Sequence, residues 1–227
     1  MTMPLRLIVF DVDGTLVDSQ RDIVSAMRHA FETAGLPVPG RSAILRIVGL
    51  SLDVAIPRLA PDTPSDMHRR MVDWYKDAYV QLRSEAGAAE SSPLYDHAQA
   101  IVEGLHAVPG NILGIATGKS RRGLDKLLDG HGIRHLFLTQ QVSDHHPSKP
   151  HPSMLHAAMN ETGIERGNAV MIGDTSYDME MARAAGVTGI GVSWGYHGPD
   201  ALHEAAHVLG DFRELPEFLE NHWRGAA

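Results

Sequence analysis

The strongest constraint on the fold is an alternation that begins at Pro93. Short apolar runs at Ile112–Ala116, Leu136–Thr139, Ala169–Ile172 and Val187–Val192 are separated by segments with helical spacing at Ser120–Gly130, Ser153–Thr162 and Ser176–Ala185. Strands that alternate with helices predict βαβ units and a mostly parallel sheet with helices on its faces. A helix over about Asp96–Ala107 precedes this series; a short strand at Val208–Leu209 and a helix from Leu215 follow it. One further run lies far ahead in the chain. Leu5 to Phe10 has five apolar residues in six and stops at a glycine turn, as a strand buried on both faces does.

Between that first strand and the alternating part the period is helical throughout. Ile23, Met27, Ala30, Phe31 and Ala34 share a face that Gly35 ends, and Ile44, Leu45, Val48 and Leu52 suggest more helix with a break at Gly49. Pro57, Pro61 and Pro64 punctuate, and Met67, Met71, Trp74 and Tyr75 mark a longer helix from about Ser65 to Glu85. The small residues from Glu85 to Pro93 read as a returning linker. The expected organisation is a Rossmann-like, doubly wound α/β core (residues 1–16 and 91–227) with an α-helical unit at 17–90 inserted after its first strand.

Composition narrows the function classes. With 20 Lys+Arg against 28 Asp+Glu the net charge is −8, which argues against nonspecific binding to nucleic acid or an anionic membrane. No cysteine is present, so disulfides, thiolate zinc sites and cysteine nucleophiles are excluded. No 18-residue apolar run occurs, and Met1–Arg6 offers no leader-like stretch, so a cytoplasmic location is the default expectation.

The chemistry gathers where strands end. In open α/β sheets ligands bind beyond the carboxyl ends of the strands. The first strand ends in Asp11-Val12-Asp13-Gly14-Thr15, the next in Thr117-Gly118, a later one in Gly173-Asp174 with Asp178, and Lys149 sits in a loop between prolines. Carboxylates suit a hard divalent cation, while a hydroxyl, amides at a helix start and a lysine suit an anion. Together they fit phosphoryl transfer, in which cations remove the repulsion between a carboxylate and a phosphate ester.

These motifs, in this order and over nearly the whole length, resemble the haloacid dehalogenase-like hydrolase superfamily in its helical-cap branch, and within it the phosphoglycolate phosphatase-like members. Gly191–Tyr196 also recurs in that branch. The resemblance implies Asp11 as the nucleophile that forms an aspartyl-phosphate, and Asp13 as the acid and base. It implies Thr117 with the amides of Val12, Asp13 and Gly118 as the phosphate cradle, and Lys149 as the stabilising cation. Mg²⁺ would sit on Asp11, the Asp13 carbonyl and Asp174, with Asp178 behind them. The partner implied is a small phosphorylated metabolite, acted on by a monomer or homodimer. Because Asp13 is present, a dehalogenase is disfavoured. A β-phosphoglucomutase-like sugar-phosphate mutase and a non-catalytic regulatory protein are the alternatives.

For a substrate carboxylate the candidate cations are Arg46, Arg58, Arg69 and Arg70; Arg46 is favoured because Gly49–Leu52 beside it resembles the family's substrate-facing loop. Lys76, the lone lysine of the insert, lies in an ordinary amphipathic helix, which disfavours imine chemistry. Three other patterns fail on spacing or context. Gly114–Ser120 is one residue short of a P-loop, Gly189–Gly195 misses the dinucleotide spacing, and His203-Glu204-Ala205-Ala206-His207 runs into a strand, where a zinc-binding helix is required. His145 and His146 adjoin the lysine loop, either as solvated residues or as groups that tune its pH dependence.

Overall fold

The computed structural model describes residues 4–224. In chain order the elements begin with β1 (Arg6–Phe10), followed by the helices α1 (Gln20–Thr33), α2 (Arg41–Leu45), α3 (Leu52–Leu59), α4 (Ser65–Ala86), α5 (Ala88–Ser91) and α6 (Ala98–Ala107). The alternating part is β2 (Asn111–Thr117), α7 (Arg121–Gly130), β3 (Phe137–Val142), α8 (Ser153–Thr162), β4 (Ala169–Gly173), α9 (Ser176–Ala185) and β5 (Thr188–Val192), closed by β6 (His207–Leu209) and α10 (Leu215–Arg224).

All six strands pair in parallel in the order β3-β2-β1-β4-β5-β6. Each face of the sheet is covered. Ile8 and Phe10 of β1 point into a cluster shared with Val102, Leu124, Leu128 and Leu219, whereas Leu7 and Val9 point into one shared with Met154, Leu155, Met181 and Ala182. Burial on both faces is why these strands read as continuous apolar runs without alternation. β1 lies between β2 and β4, whose connections leave in opposite directions, so its carboxyl end is the topological switch point at which such sheets bind ligands.

The helices α1 to α4, inserted after β1, have an apolar cluster of their own. Ile23, Met27, Ala30 and Phe31 of α1 pack with Ile44, Ile56, Met71 and Tyr75. Three local expectations change. Pro57 lies inside α3, two residues before its end, where a missing N–H costs one intrahelical bond. The stretch after Glu85 is α5, set off from α4 by Gly87 at φ +85°, so an open linker is replaced by helix. β3 runs on to Val142 because Ala116 and Thr117 of β2 pair with Gln141 and Val142, and backbone pairing overrides two polar glutamines. No helix among the described residues is long and apolar enough to cross a membrane.

Candidate active site

Asp11 is the first residue past β1. Its N–H still donates to the Ile172 carbonyl of β4 (2.9 Å), so the strand's end fixes its position. The chain then turns tightly: the Val12 carbonyl accepts from the N–H groups of Leu16 and Val17 (2.9 and 3.0 Å), and Gly14 takes φ +86°. The Asp11 carboxylate is 1% exposed, and its Oδ1 accepts from Lys149 Nζ at 2.6 Å. The same ammonium donates to Asp178 Oδ1 at 2.7 Å. Although burial works to discharge Lys149, Asp11 and Asp178 outweigh it and hold its pKa above the usual lysine value.

Asp174, at the end of β4, completes the cluster. Oxygens of Asp11, Asp174 and Asp178 lie within 4.8 Å of one another. Asp174 accepts from Thr15 Oγ1 (3.2 Å) and from the Tyr196 N–H (2.8 Å). Two glycines give it room: a Cβ on Gly14 would come 2.2 Å from its Oδ2, and one on Gly195 would come 2.1 Å from its Cβ. Asp178 is held by a capping box at the start of α9, with Thr175 N–H and Oγ1 donating to its Oδ2 (3.1 and 2.7 Å).

This cluster fits a divalent cation. Three buried carboxylates face one ammonium, which leaves two negative charges unanswered. Burial pushes the Asp11 carboxyl up to about 7, Lys149 works against that rise, and Asp178 adds to it. Burial, followed by Asp11 and Asp178, raises the Asp174 carboxyl well above the usual aspartate range. The Asp11 Oδ2 atom is buried with no hydrogen-bond partner, as a ligand oxygen would be. Oxygen donors of this kind suit Mg²⁺.

Asp13 faces elsewhere. Its Oδ1 pairs with Lys119 Nζ at 2.7 Å and accepts a short hydrogen bond from Ser19 Oγ. Ser19 stands at the N-cap of α1 yet makes no side-chain cap bond; its hydroxyl is used on Asp13 instead, and its N–H donates to Tyr196 Oη (2.9 Å). Thr117 at the end of β2 is buried. The cap of α7 is made by Ser120, which accepts from Gly123 N–H at 3.2 Å, so the Thr117 hydroxyl is not spent on the helix.

A cleft of about 380 Å³ opens between this sheet edge and the inserted helices. Asp11, Asp13, Thr117, Gly118 and Lys119 line its floor. The Gly49–Leu50 backbone passes so close to Gly118 that a Cβ there would meet the Gly49 carbonyl at 2.7 Å. Arg46 is not brought to the cleft. Its side chain is exposed, and its carbonyl accepts from Tyr177 Oη and His197 Nε2, both at 3.1 Å. Arg58 and Arg70 lie over Tyr177 and Trp74, and Arg69 is exposed. His203 and His207 are exposed on a turn and on β6, and neither joins a metal-type cluster among the described residues. Lys119 and Ser19 escape sequence reading, as do the contacts, though not the motifs, of Thr15 and Tyr196. Lys119 stands two residues past Thr117 and looks like a helix-start charge, while Tyr196 reaches Asp174 and Ser19 only through the fold.

The parallel sheet thus carries a buried Asp11–Lys149–Asp178 cluster at its switch point, the architecture of an α/β protein with a charged site at a strand end. Residues 8–192 match the haloacid dehalogenase-like hydrolase family model, and the chain belongs to that family. It is 33% identical over 203 residues to Probable phosphatase IndB of Dickeya dadantii (strain 3937), covering 88% of this chain and 86% of that protein. It is 29% identical over 225 residues to a phosphoglycolate phosphatase of Vibrio parahaemolyticus, covering 95% of each. A solved structure described as a predicted phosphoglycolate phosphatase, from Haemophilus somnus 129pt, superposes with a TM-score of 0.81 at 25% identity over 96% of this chain and 99% of that one.

Proposed function

We propose that the chain is a Mg²⁺-dependent phosphomonoesterase working through an aspartyl-phosphate on Asp11. The observation that carries this is the state of the Asp11 carboxylate: one oxygen is held by Lys149 at 2.6 Å and the other is buried without a partner, at the floor of a cleft. Asp11, the Asp13 carbonyl and Asp174 would hold Mg²⁺, with Asp178 acting mainly through Lys149. When bound, the ion supplies charge that draws a phosphate dianion towards a carboxylate and stabilises the transferring group.

The chain's own residues divide the remaining work. Asp11 attacks phosphorus, and Lys149 keeps the attacking carboxylate ionised and screens the spread negative charge. Asp13, oriented by Ser19 and Lys119, gives its proton to the leaving oxygen and then takes one from the water that cleaves the acyl phosphate. Thr117 Oγ1 and the amides of Val12, Asp13 and Gly118 bind the phosphoryl oxygens. The helical unit at 17–90 acts as a cap over the cleft and meets the leaving group. Its partner is a small phosphorylated metabolite, and the names of the relatives make 2-phosphoglycolate the first to assay.

The test is release of phosphate from p-nitrophenyl phosphate with and without Mg²⁺. Wild type is expected to turn over only with the metal, and Asp11→Asn to fold and be inactive. Metal-independent turnover, or substantial residual activity in Asp11→Asn, overturns the reading.

A further inference from the structure

The cap face of the cleft is apolar. On α4 the lining residues Val72, Tyr75 and Tyr79 recur at helical spacing, so one stripe of the helix faces the cavity. Ile23 and Met27, four residues apart on α1, and Val48 from the loop after α2 also line the cavity, buried in the same cluster as Tyr75. Tyr75 and Tyr79 stack with ring centroids 5.8 Å apart and planes 15° apart, and the Lys119 ammonium lies over the Tyr79 ring at 5.0 Å.

Charge at the cleft falls in two places. The charged residues that the cap contributes are Asp53, Lys76 and Asp77; all three are exposed at the mouth, and carboxylates outnumber the ammonium. On the core side Arg122, Lys126 and Asp144 also line the cleft and are exposed, and the cation further in is Lys119, whose side chain is 7% exposed and already engaged by Asp13 at 2.7 Å and by Tyr79 Oη at 3.0 Å. A second anionic group lying along the α4 stripe would therefore meet apolar side chains or compete with Asp13 for Lys119, Arg122 and Lys126 of α7 being solvated. A volume of about 380 Å³ is also within the range of sites that enclose whole organic ligands, ~300–1,000 Å³.

We propose that the preferred leaving group is an uncharged alcohol with an apolar body, larger than the two-carbon acid of phosphoglycolate. Its hydrocarbon lies along the Val72–Tyr75–Tyr79 stripe while its phosphoryl group reaches Asp11. This rests on the phosphomonoesterase reading and adds the class of alcohol released.

The experiment uses the Mg²⁺-loaded wild-type protein and the series ethyl, butyl and hexyl phosphate, with 2-phosphoglycolate alongside. The leaving groups of the alkyl series are chemically alike, so the trend in kcat/KM reads burial of the chain. Each methylene taken up by the cap should raise kcat/KM about fourfold. In Val72→Asp the ratio of hexyl to ethyl phosphate should fall by about tenfold or more, one charge having been set in the apolar stripe. A flat or falling alkyl series, or 2-phosphoglycolate outpacing hexyl phosphate tenfold, overturns the inference while leaving the phosphomonoesterase reading standing. Failure of every ester in a folded, metal-loaded protein overturns that reading, and this one with it.

Discussion

At the scale of single residues the electrostatics turn on Lys149. Its ammonium answers Asp11 at 2.6 Å and Asp178 at 2.7 Å, with all three side chains shielded from water. Removing one member of a buried ion cluster costs about 3–5 kcal/mol, because the remaining charge is left buried alone. Lys149→Met is expected to lower the unfolding free energy by about that amount, read from urea midpoints, and to abolish phosphate release. A second prediction concerns room. At Gly195 a Cβ would lie 2.1 Å from the Asp174 Cβ, so Gly195→Ala must displace that carboxylate. Misplacing a site group by about 1 Å costs roughly 10²-fold, and the kcat of Gly195→Ala should fall by that order with the fold intact by circular dichroism. The acids and the lysine were legible in the sequence because each follows a strand or interrupts a proline-bounded loop. Lys119 and Ser19 were not, since each also has an ordinary local account at a helix start, and only tertiary packing turns them both towards Asp13.

At the scale of elements, the loop that carries Lys149 is closed at its base by one histidine. His146 pairs through Nδ1 with Ser153 Oγ (2.8 Å) at the start of α8 and through Nε2 with Gln141 Oε1 (2.9 Å) on β3. Gln141 in turn donates to Thr139 Oγ1 (2.7 Å), and Thr139 donates to Glu161 (2.5 Å). A carboxylate only accepts, so the donors run from His146 Nε2 through Gln141 and Thr139 to Glu161, which places a proton on Nε2. Burial, followed by His145, lowers the His146 pKa below its usual 6.5, against the pull of Glu161. The sign follows from linkage: as pH falls below about 6.5 the unfolded chain binds the proton first, so stability is lost on acidification. His146→Gln should therefore flatten the drop in urea midpoint between about pH 7 and pH 5 relative to wild type, and an unchanged drop would refute it. His197, also lowered mainly by burial, contributes in the same direction and accounts for part of what remains. This polar chain also explains why β3 reads as ending at Thr139: Gln140 and Gln141 break the apolar pattern, yet the backbone stays in the sheet and Gln141 spends its amide inside it. The remaining elements of the sheet and its crossover helices were legible to within about two residues at each end, because apolar runs buried on both faces and helices with one apolar stripe leave periods that do not overlap, whereas α3 was hidden by Pro57. The 85–93 segment was not, since small residues read equally as linker or as short helix, and contacts with α7 and α4 decide.

At the scale of the whole molecule the site is a junction. Asp11 ends β1, Lys149 precedes α8, Asp174 ends β4, Asp178 lies on α9, and Tyr196, whose N–H holds Asp174, follows β5. These groups converge only when the sheet is assembled, so the unfolded chain has no comparable site and an ion bound here stabilises the native state by mass action. At a free concentration of about 100 times Kd the gain is roughly 2.7 kcal/mol, and for a chain of this size each kcal/mol moves Tm by about 2–4 °C. Millimolar Mg²⁺ should then raise Tm by about 5–10 °C over the protein in EDTA, and Asp174→Asn should lose most of that shift. Equal melting temperatures in Mg²⁺ and EDTA would refute the metal assignment. Hydrogen exchange locates the effect: the carboxylates of the cluster all belong to the sheet and its crossover helices, so added protection should concentrate in β1 and β4. The inserted helices pack around their own cluster of Ile23, Met27, Phe31 and Met71, border the cleft, and touch the core at Gly118, Lys119, Tyr177 and His197. Protection in α4 should change little on adding the ion, because none of the three clustered carboxylates lies on the inserted helices.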